Sequence, residues 1–502
     1  MRVAALLLVG ASLSLAQSPP RLLGQTSRPS LVIAQGGLVS VLDPNRETGG
    51  VAEVAYRAIF DSLTFIDEQG RLRPALATGW KQSSETTLEV TLRSGVRFSN
   101  GEPFTAEAVK FSIERIFKPE FLSTVRGRIP FIKSVDAVSP TVVKIETTRP
   151  DVLLPRRLAA VFIVPPRYVQ QVGDQGFLSA PIGTGPFRVA EFVRLDHLTL
   201  VAVDTSWRGI PKPGQVTIRS IPDPAARVAA LLSGSVDVAQ NLPMDTLRML
   251  QADRRFRAEL VVQGRGYHIQ FRTRGRPSVV ADKRIRQAFN YAVNKETIAK
   301  QLLGGAVPVL GQLVGPSCVG HDPSIQPYPF DPTKAKQLLQ SAGYQGQLVT
   351  LDHTVGSYTA DKEIAETVAS YLRSVGVNVE TRAREFSVNI ALTARGEAEA
   401  MIFNPFNCFP LMDGDFVLNW YASDHSTNLY GNPEFDKLLA LSRTQFDPAK
   451  RLRTLYEIAR ITHDDPPAIF LFEEPVLFGL SRQVTGFTPR ADFIIWFDTM
   501  SK

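Results

Sequence analysis

Apolar positions recur along the chain with two periods, and the switches between them mark its elements. Residues 30–35 (SLVIAQ) form an apolar run of strand length, and residues 51–60 (VAEVAYRAIF) carry apolar side chains at helical spacing. Residues 86–92 (TTLEVTL) alternate like a half-buried strand. Asn100-Gly101 is a turn signal, and Thr105 is placed to cap a helix over 106–116 with Val109, Ile113 and Ile116 on one stripe. A hairpin is predicted over 135–146, then a Gly/Pro turn at 183–187 (GTGPF) leading into a strand pair over 187–203. This first part is β-rich.

The order changes near residue 215. A strand (VTIRSI), a helix over 224–233 and a short strand over 236–239 make the βαβ alternation expected of a largely parallel sheet. A second α/β unit begins near 265: strand 267–271, then a helix over 283–303 with Ile285, Phe289, Ala292 and Ile298 on its apolar face. Helix 332–342 ends at Gly343, strand 348–352 follows, helix 359–375 ends at Gly376, and strand 378–383 comes next. Asn432 and Pro433 open a helix over 432–441, 448–464 reads as the last long helix, and 468–472 returns as a strand. No period of 20 to 50 residues appears, which argues against a solenoid or propeller.

Composition places this pattern in a folded protein of about three compact units: 502 residues, 44% hydrophobic and 21% charged, with 35 Gly and 35 Pro. Lys and Arg exceed Asp and Glu by 7 charges, spread without a run of five or six, so nothing marks a nucleic-acid partner. Arg2 precedes an apolar stretch over 3–15 and the small-x-small site Ser14-Leu15-Ala16, the pattern of a secretory signal over 1–16. That stretch is shorter than the roughly 20 residues a bilayer needs, and no cysteine follows it to accept a lipid. The mature chain is expected to be soluble and periplasmic or secreted. In an oxidising compartment Cys318 and Cys408 are a candidate disulfide, the alternative being two separate buried thiols.

Catalytic patterns are missing: GxSxG, HExxH, GxxxxGK[ST] and GxGxxG do not occur, and the six histidines are scattered singly. Asp413-Gly414-Asp415 is the nearest approach to a carboxylate pair, and neighbouring acids in a Gly-containing loop are usually turn formers. No cofactor or metal is expected, and a binding module is favoured over an enzyme.

Several segments now carry a resemblance. Phe60-Asp61-Ser62-Leu63, Leu76-Ala77-Thr78-Gly79-Trp80 and the stretch 92–116 (LRSGVRFSNGEPFTAEAVKFSIERI) stand in order with PIGTGPF at 181–187, AALLSGSVD at 229–237, RIRQAFNYA at 284–292, YPFDP at 328–332 and NPEFD at 432–436. From about residue 30 to its end the chain resembles the extracytoplasmic solute-binding proteins of bacterial ABC importers, in the peptide/nickel (dipeptide and oligopeptide) class, family 5. The resemblance implies an α/β, two-lobed periplasmic-binding-protein-like fold (type II, cluster C). Lobe I would span 29–264 plus 470–502, with an extra β-rich subdomain over 59–182, and lobe II 265–469. The crossings would lie near 264–271 and 467–471. It also implies a monomer that captures a small molecule or short peptide between the lobes and delivers it to an ABC permease in the inner membrane.

The same resemblance points to a site. Residues 404–415 (NPFNCFPLMDGD) look like the segment where peptide binders carry a Trp and an Asp that holds a peptide amino group. Here Phe406 stands in for the Trp and the Asp position falls at Cys408 or Phe409, with Asp413 and Asp415 near enough to supply the charge. Asn404 and Asn407 complete that set, and Trp420 is a lesser candidate outside it. Arg272, where relatives have Asn before Thr, could clamp a carboxylate or phosphate in bidentate fashion, and Tyr267, His268 and Arg384 are further candidates. The aromatic series Phe403, Phe406, Phe409 and Phe416 either lines an apolar pocket or fills the lobe core. Two other functions stay open: an exported hydrolase, and a receptor or sensor of the same fold that works without a permease.

Overall fold

The architecture is taken from a computed structural model, which describes residues 28–502 apart from positions 48, 306, 428 and 493. The expected signal segment 1–16 lies outside the described residues. The fold is mixed α/β and two-lobed, and one eleven-stranded sheet runs through both lobes. From one edge its order is Val379–Ala383, Val349–His353, Met401–Phe403, Phe256–Phe271, Ala468–Ser481, Val238–Leu242, Ser30–Gln35, Gln215–Ser220, His197–Ala202 and Phe187–Val193; Phe406–Asn407 is a short additional strand on Phe256–Phe271. Val349–His353 is parallel to both of its neighbours, and so is Ser30–Gln35. Each half of the sheet therefore has a parallel centre, and two antiparallel strands join the halves.

Those joining strands are 16 and 14 residues long, paired from Phe256 opposite Ser481 to Gln270 opposite Ala468, with register shifts between Val262 and Gly266. The predicted strands covered only 267–271 and 468–472. Polar residues such as Arg265, Glu473 and Glu474 interrupt the apolar run beyond those limits, yet the pairing continues through them because each finds a partner.

A separate four-stranded antiparallel sheet, in the order Ala77–Ser84, Thr87–Leu92, Val142–Thr147 and Ile132–Ser139, packs with helix Ala106–Phe117 around its own core. Val109, Ile113 and Ile116 all point into that core, as the stripe predicts. Thr105 occupies the cap position, but its side chain makes no cap hydrogen bond.

Two elements differ from the sequence pattern. The single helix expected over 283–303 is two, Lys283–Ala292 and Lys295–Leu302, because Val293 is extended and the Asn294 side chain accepts from the Thr297 amide to start a new helix. Ile285, Phe289, Ala292 and Ile298 still enter one core, so the apolar stripe survives the break. Helix Phe386–Ala394 was not anticipated: its segment is apolar without one stripe, and it starts because Glu385 accepts from the Val388 amide.

Cys318 and Cys408 are joined in the structure, with Cα atoms 6.3 Å apart across 90 residues of chain. Gly264 of the joining strand runs directly over the bond; a Cβ there would stand 2.8 Å from the Cys408 sulfur. Replacing both cysteines by alanine is expected to lower unfolding stability by about 4 to 5 kcal/mol in the chain-entropy model, read as a lower urea midpoint. Adding reductant to the double variant should then change nothing.

Candidate functional site

A cavity of about 1650 Å³ lies between the two halves. One wall comes from the loop after Val238–Leu242, with Asp245 and Arg248; the opposite wall comes from Lys300 and from the loop 356–360 after Val349–His353, with Glu363 behind it. Both loops follow the carboxyl ends of strands in parallel pairs, which is where open α/β sheets bind ligands. The floor is Arg265 and Glu474, one from each joining strand.

The local sequence shapes both walls. The Asp361 carboxylate accepts from the Thr354 hydroxyl at 2.7 Å and from the amides of Gly356 at 2.9 Å, Ser357 at 3.0 Å and Tyr358 at 3.3 Å, which folds the loop back on itself. On the other wall Arg227 donates to the Asn241 carbonyl at 2.7 Å and to those of Ile221 and Pro222. Asn241 and Ala360 both have φ 55°, a left-handed conformation that side chains rarely adopt and that costs on the order of 1 kcal/mol. The strain sits on facing walls of one cavity.

At the floor, Arg265 Nη1 lies 2.6 Å from Glu474 Oε2, and the Tyr267 hydroxyl lies 3.0 Å from Glu474 Oε1 and 3.3 Å from the Thr359 carbonyl. The Arg265 guanidinium also stands 5.3 Å from the centre of the Tyr358 ring. Burial alone would lower the pKa of Arg265, but the charge and hydrogen bond of Glu474 together with Tyr358 and Tyr267 outweigh it and hold Arg265 above its usual range. Burial, reinforced by Glu474, keeps the Tyr267 hydroxyl well above its ordinary value, and burial pushes Tyr358 up to about 12. At neutral pH the floor is thus an ion pair flanked by two neutral hydroxyls, able to meet both charge signs and hydrogen-bonding groups of a ligand.

The family model described as bacterial extracellular solute-binding proteins, family 5 Middle, matches residues 71–428, more than half of the chain. The chain belongs to this family. A glutathione-binding protein GsiB from Pectobacterium atrosepticum is 28% identical over 484 residues, with 93% of each chain covered. Among solved structures, NikA from Brucella suis in complex with Fe(III)-EDTA superposes with a TM-score of 0.84 at 24% identity, covering 94% of this chain and 99% of that one. A dipeptide binding protein from Pseudoalteromonas sp. SM9913 in complex with Met-Leu gives 0.80 at 21%, covering 94% and 100%.

Within this family 5 solute-binding protein, the expected site residues separate into two groups. Tyr267, Asn404 and Asn407 stand behind the cavity, each beside one of its lining residues and none itself lining it. Tyr267 lies under Glu474, the Asn404 side chain is 3.4 Å from the Tyr358 hydroxyl, and Asn407 is paired with Arg265 across the strands, with a buried Oδ1 that has no hydrogen-bond partner. Phe406 stacks on Trp420 at 4.7 Å and 14° between planes, and with Phe409 it belongs to an apolar cluster. Phe403 packs against Tyr267 in another cluster, and Phe416 is half-buried.

Four expectations are corrected. Asp413 is fully buried and gives both oxygens to Arg451, at 2.7 and 2.8 Å; burial would raise its pKa, but Arg451 holds it below the usual range. Asp415 is 2.5 Å from Arg443 and 3.7 Å from Arg157. Neither carboxylate is left over for a ligand amino group. Arg272, 2% exposed, donates to the carbonyls of Ala398 at 2.7 Å and Arg274 at 2.6 Å, so it holds backbone and cannot clamp a ligand carboxylate. His268 is interior: its Nε2 donates to the Leu313 carbonyl at 3.1 Å, and burial drives its pKa down to about 4. Arg384 stays partly exposed, 3.2 Å from Asp352.

Sequence reasoning missed Arg265, Glu474, Tyr358 and Asn241. The signal that could have found the floor is Glu473-Glu474 inside the otherwise apolar run AIFLFEEPVLF, since adjacent acids in a buried strand need separate partners. Strand alternation sends Glu474 to the cavity and Glu473 to the opposite face, where its oxygens accept from the Ser317 amide at 3.2 Å and hydroxyl at 2.8 Å. Gly315 is required beside it, because a Cβ there would come 2.1 Å from Glu473 Oε1.

Replacing Asp413 by asparagine breaks a buried ion pair and is expected to cost about 3 kcal/mol or more of stability while ligand affinity of the folded protein stays unchanged; denaturation and calorimetry separate the two. A second expectation concerns pH. Burial raises Glu473 to about 7, so its folded form keeps a proton that the unfolded chain releases near pH 4.5; that stability is full at low pH and is lost as pH rises through 7. His268, held near 4, acts oppositely, and its contribution is lost as pH falls from about 6.5 to 4. The two slopes offset each other in the parent protein. A Glu473→Gln variant should therefore gain on the parent by up to about 3 kcal/mol between pH 4.5 and 7, measured by urea unfolding across that range.

Proposed function

We propose that this solute-binding protein encloses a small polar solute, with a short peptide as the leading class, in the cavity between its halves and hands it unchanged to an ABC permease of the inner membrane. The observation that carries the reading is the floor: the Arg265–Glu474 pair belongs to the two strands that join the halves, so a ligand held there touches the part of the molecule that any closing motion must bend. Closure desolvates the ligand and strengthens its polar contacts, and the ligand shifts the open–closed balance by the difference in its affinity for the two states.

The names of similar proteins support the polar solute. One binds glutathione, one is complexed with Met-Leu and one with Fe(III)-EDTA, all ligands rich in charged or hydrogen-bonding groups. In this reading the protein works outside the inner membrane after removal of the segment 1–16, as a monomer, and does no chemistry on the ligand. Among the described residues no helix is long and apolar enough to cross a membrane.

Mass spectrometry of solute released from purified protein, followed by a melting screen, tests the proposal. A true ligand raises the melting temperature with concentration, and at a hundred times Kd the gain is about 2.7 kcal/mol. Arg265→Ala should weaken binding by roughly tenfold or more, since a charged contact in a desolvated site is worth about 1.5 to 3 kcal/mol. Chemical turnover of the solute, or a ligand that stabilises the parent and the Arg265→Ala variant equally, would overturn it.

A further inference from the structure

A second cavity, of about 440 Å³, shares no residue with the one between the halves. It opens where the segment after helix Gly50–Ile59 meets Trp207-Arg208 and the C-terminal stretch 488–499. Its size falls within the range of small-molecule sites. Asp61 organises one side, accepting from the Thr184 hydroxyl at 2.8 Å, from the Trp207 indole at 2.8 Å and from Arg208 at 3.4 Å. Trp496 forms another side, with the Phe65 ring 5.8 Å away edge-on and the Arg208 guanidinium 4.3 Å from its ring centre.

The charges of this cavity are unevenly committed. Its carboxylates are taken up internally: Asp61 as above, Asp498 by Arg208 at 2.5 Å, and Glu68 by Arg490 at 3.6 Å. Its donors are not all taken up. Arg57, 7% exposed, places one nitrogen on the Ser62 hydroxyl at 3.2 Å and another on the Ala159 carbonyl at 2.7 Å and 3.5 Å from the Glu53 carboxylate, but its Nε–H is buried with no acceptor. The Trp496 Nε1–H is buried without an acceptor as well. Both residues line the cavity, and among the lining residues no buried side-chain acceptor is left without a donor. Two orphaned donors, each of which costs about 1 to 3 kcal/mol when left desolvated, ask for acceptor atoms from outside the chain. Three guanidiniums also gather here; burial pushes the pKa of Arg57 down, Glu53 and Asp492 oppose it, and Arg490 and Arg208 add to it.

We propose that this cavity is a second ligand site and that it takes a compact aromatic carboxylate. The ring lies among Phe65, Trp207 and Trp496, and the carboxylate accepts from Arg57 Nε and Trp496 Nε1. A cation of the same shape meets guanidiniums whose counter-charges are already occupied, and a neutral amide supplies an acceptor without the charge.

Ligand-observed fluorine NMR on the full mature chain tests this with 4-fluorobenzoate, 4-fluorobenzamide and 4-fluorobenzylamine. The benzoate is expected to bind at least tenfold more tightly than the amine, with the amide between them. Trp496→Phe, which keeps the ring and removes the donor, should weaken the benzoate several-fold while circular dichroism stays unchanged. Equal broadening of all three probes, no broadening of any, or a benzoate affinity that Trp496→Phe leaves intact would overturn the assignment. The probe series on the unsubstituted protein decides the matter even if the variant fails to fold.

Discussion

Everything in this molecule hangs on the pairing of Phe256–Phe271 with Ala468–Ser481. These two strands are the middle of the large sheet, and the parallel centres of the two halves are attached to their outer edges. Backbone hydrogen bonds fix the pairing, so side chains at its midpoint are placed by the ladder and need no loop to hold them. Arg265 and Glu474 occupy that midpoint. Alternation along the strand sends Arg265 to the cavity and leaves Gly264 packed on the disulfide, within the stretch where the register shifts between Val262 and Gly266.

The number of acids near a cleft says little about its charge; their partners decide it. Asp413, Asp415 and Asp61 each sit against arginine, and a buried carboxylate so paired offers nothing to a ligand. Glu474 is paired too, but its partner lies beside it on the cavity floor, so a ligand can compete for both members at once. Glu473, one residue away and on the other face, keeps only serine for company, and its carboxyl holds its proton to about pH 7 as a result. One peptide bond separates two opposite fates, which alternation along a strand produces and sequence spacing alone does not.

The fold was legible because local rules and tertiary packing agree over most of the chain. Helix Pro448–Asp464 and helix Pro433–Ser442 begin where Asp or Asn caps precede proline, and both caps are made. Where packing overrides periodicity, the pattern misleads: Val293 leaves the helix although the apolar stripe continues past it, since both short helices bury into the same core. The site was less legible. The segment 404–415 lies behind the cavity, where Asn404 neighbours Tyr358 and Asn407 neighbours Arg265, but a resemblance carries positions, not the arginines that meet its acids. Arg451 and Arg443 lie far along the chain from the acids they neutralise, and no local pattern announces such pairs.

The two cavities differ in a way that follows from where their donors and acceptors end. At the floor between the halves every charged group has a counterpart, so binding there exchanges one set of partners for another, and the gain depends on closure removing water from the exchanged contacts. In the smaller cavity the donors of Arg57 and Trp496 have nothing to exchange, and a ligand would satisfy groups that folding alone leaves unmet. The first arrangement suits reversible capture and release of a cargo. The second suits a molecule that stays, and because the Ala491 carbonyl accepts from the Gly264 amide at 3.0 Å, the stretch that lines the smaller cavity is tied to the joining strand itself.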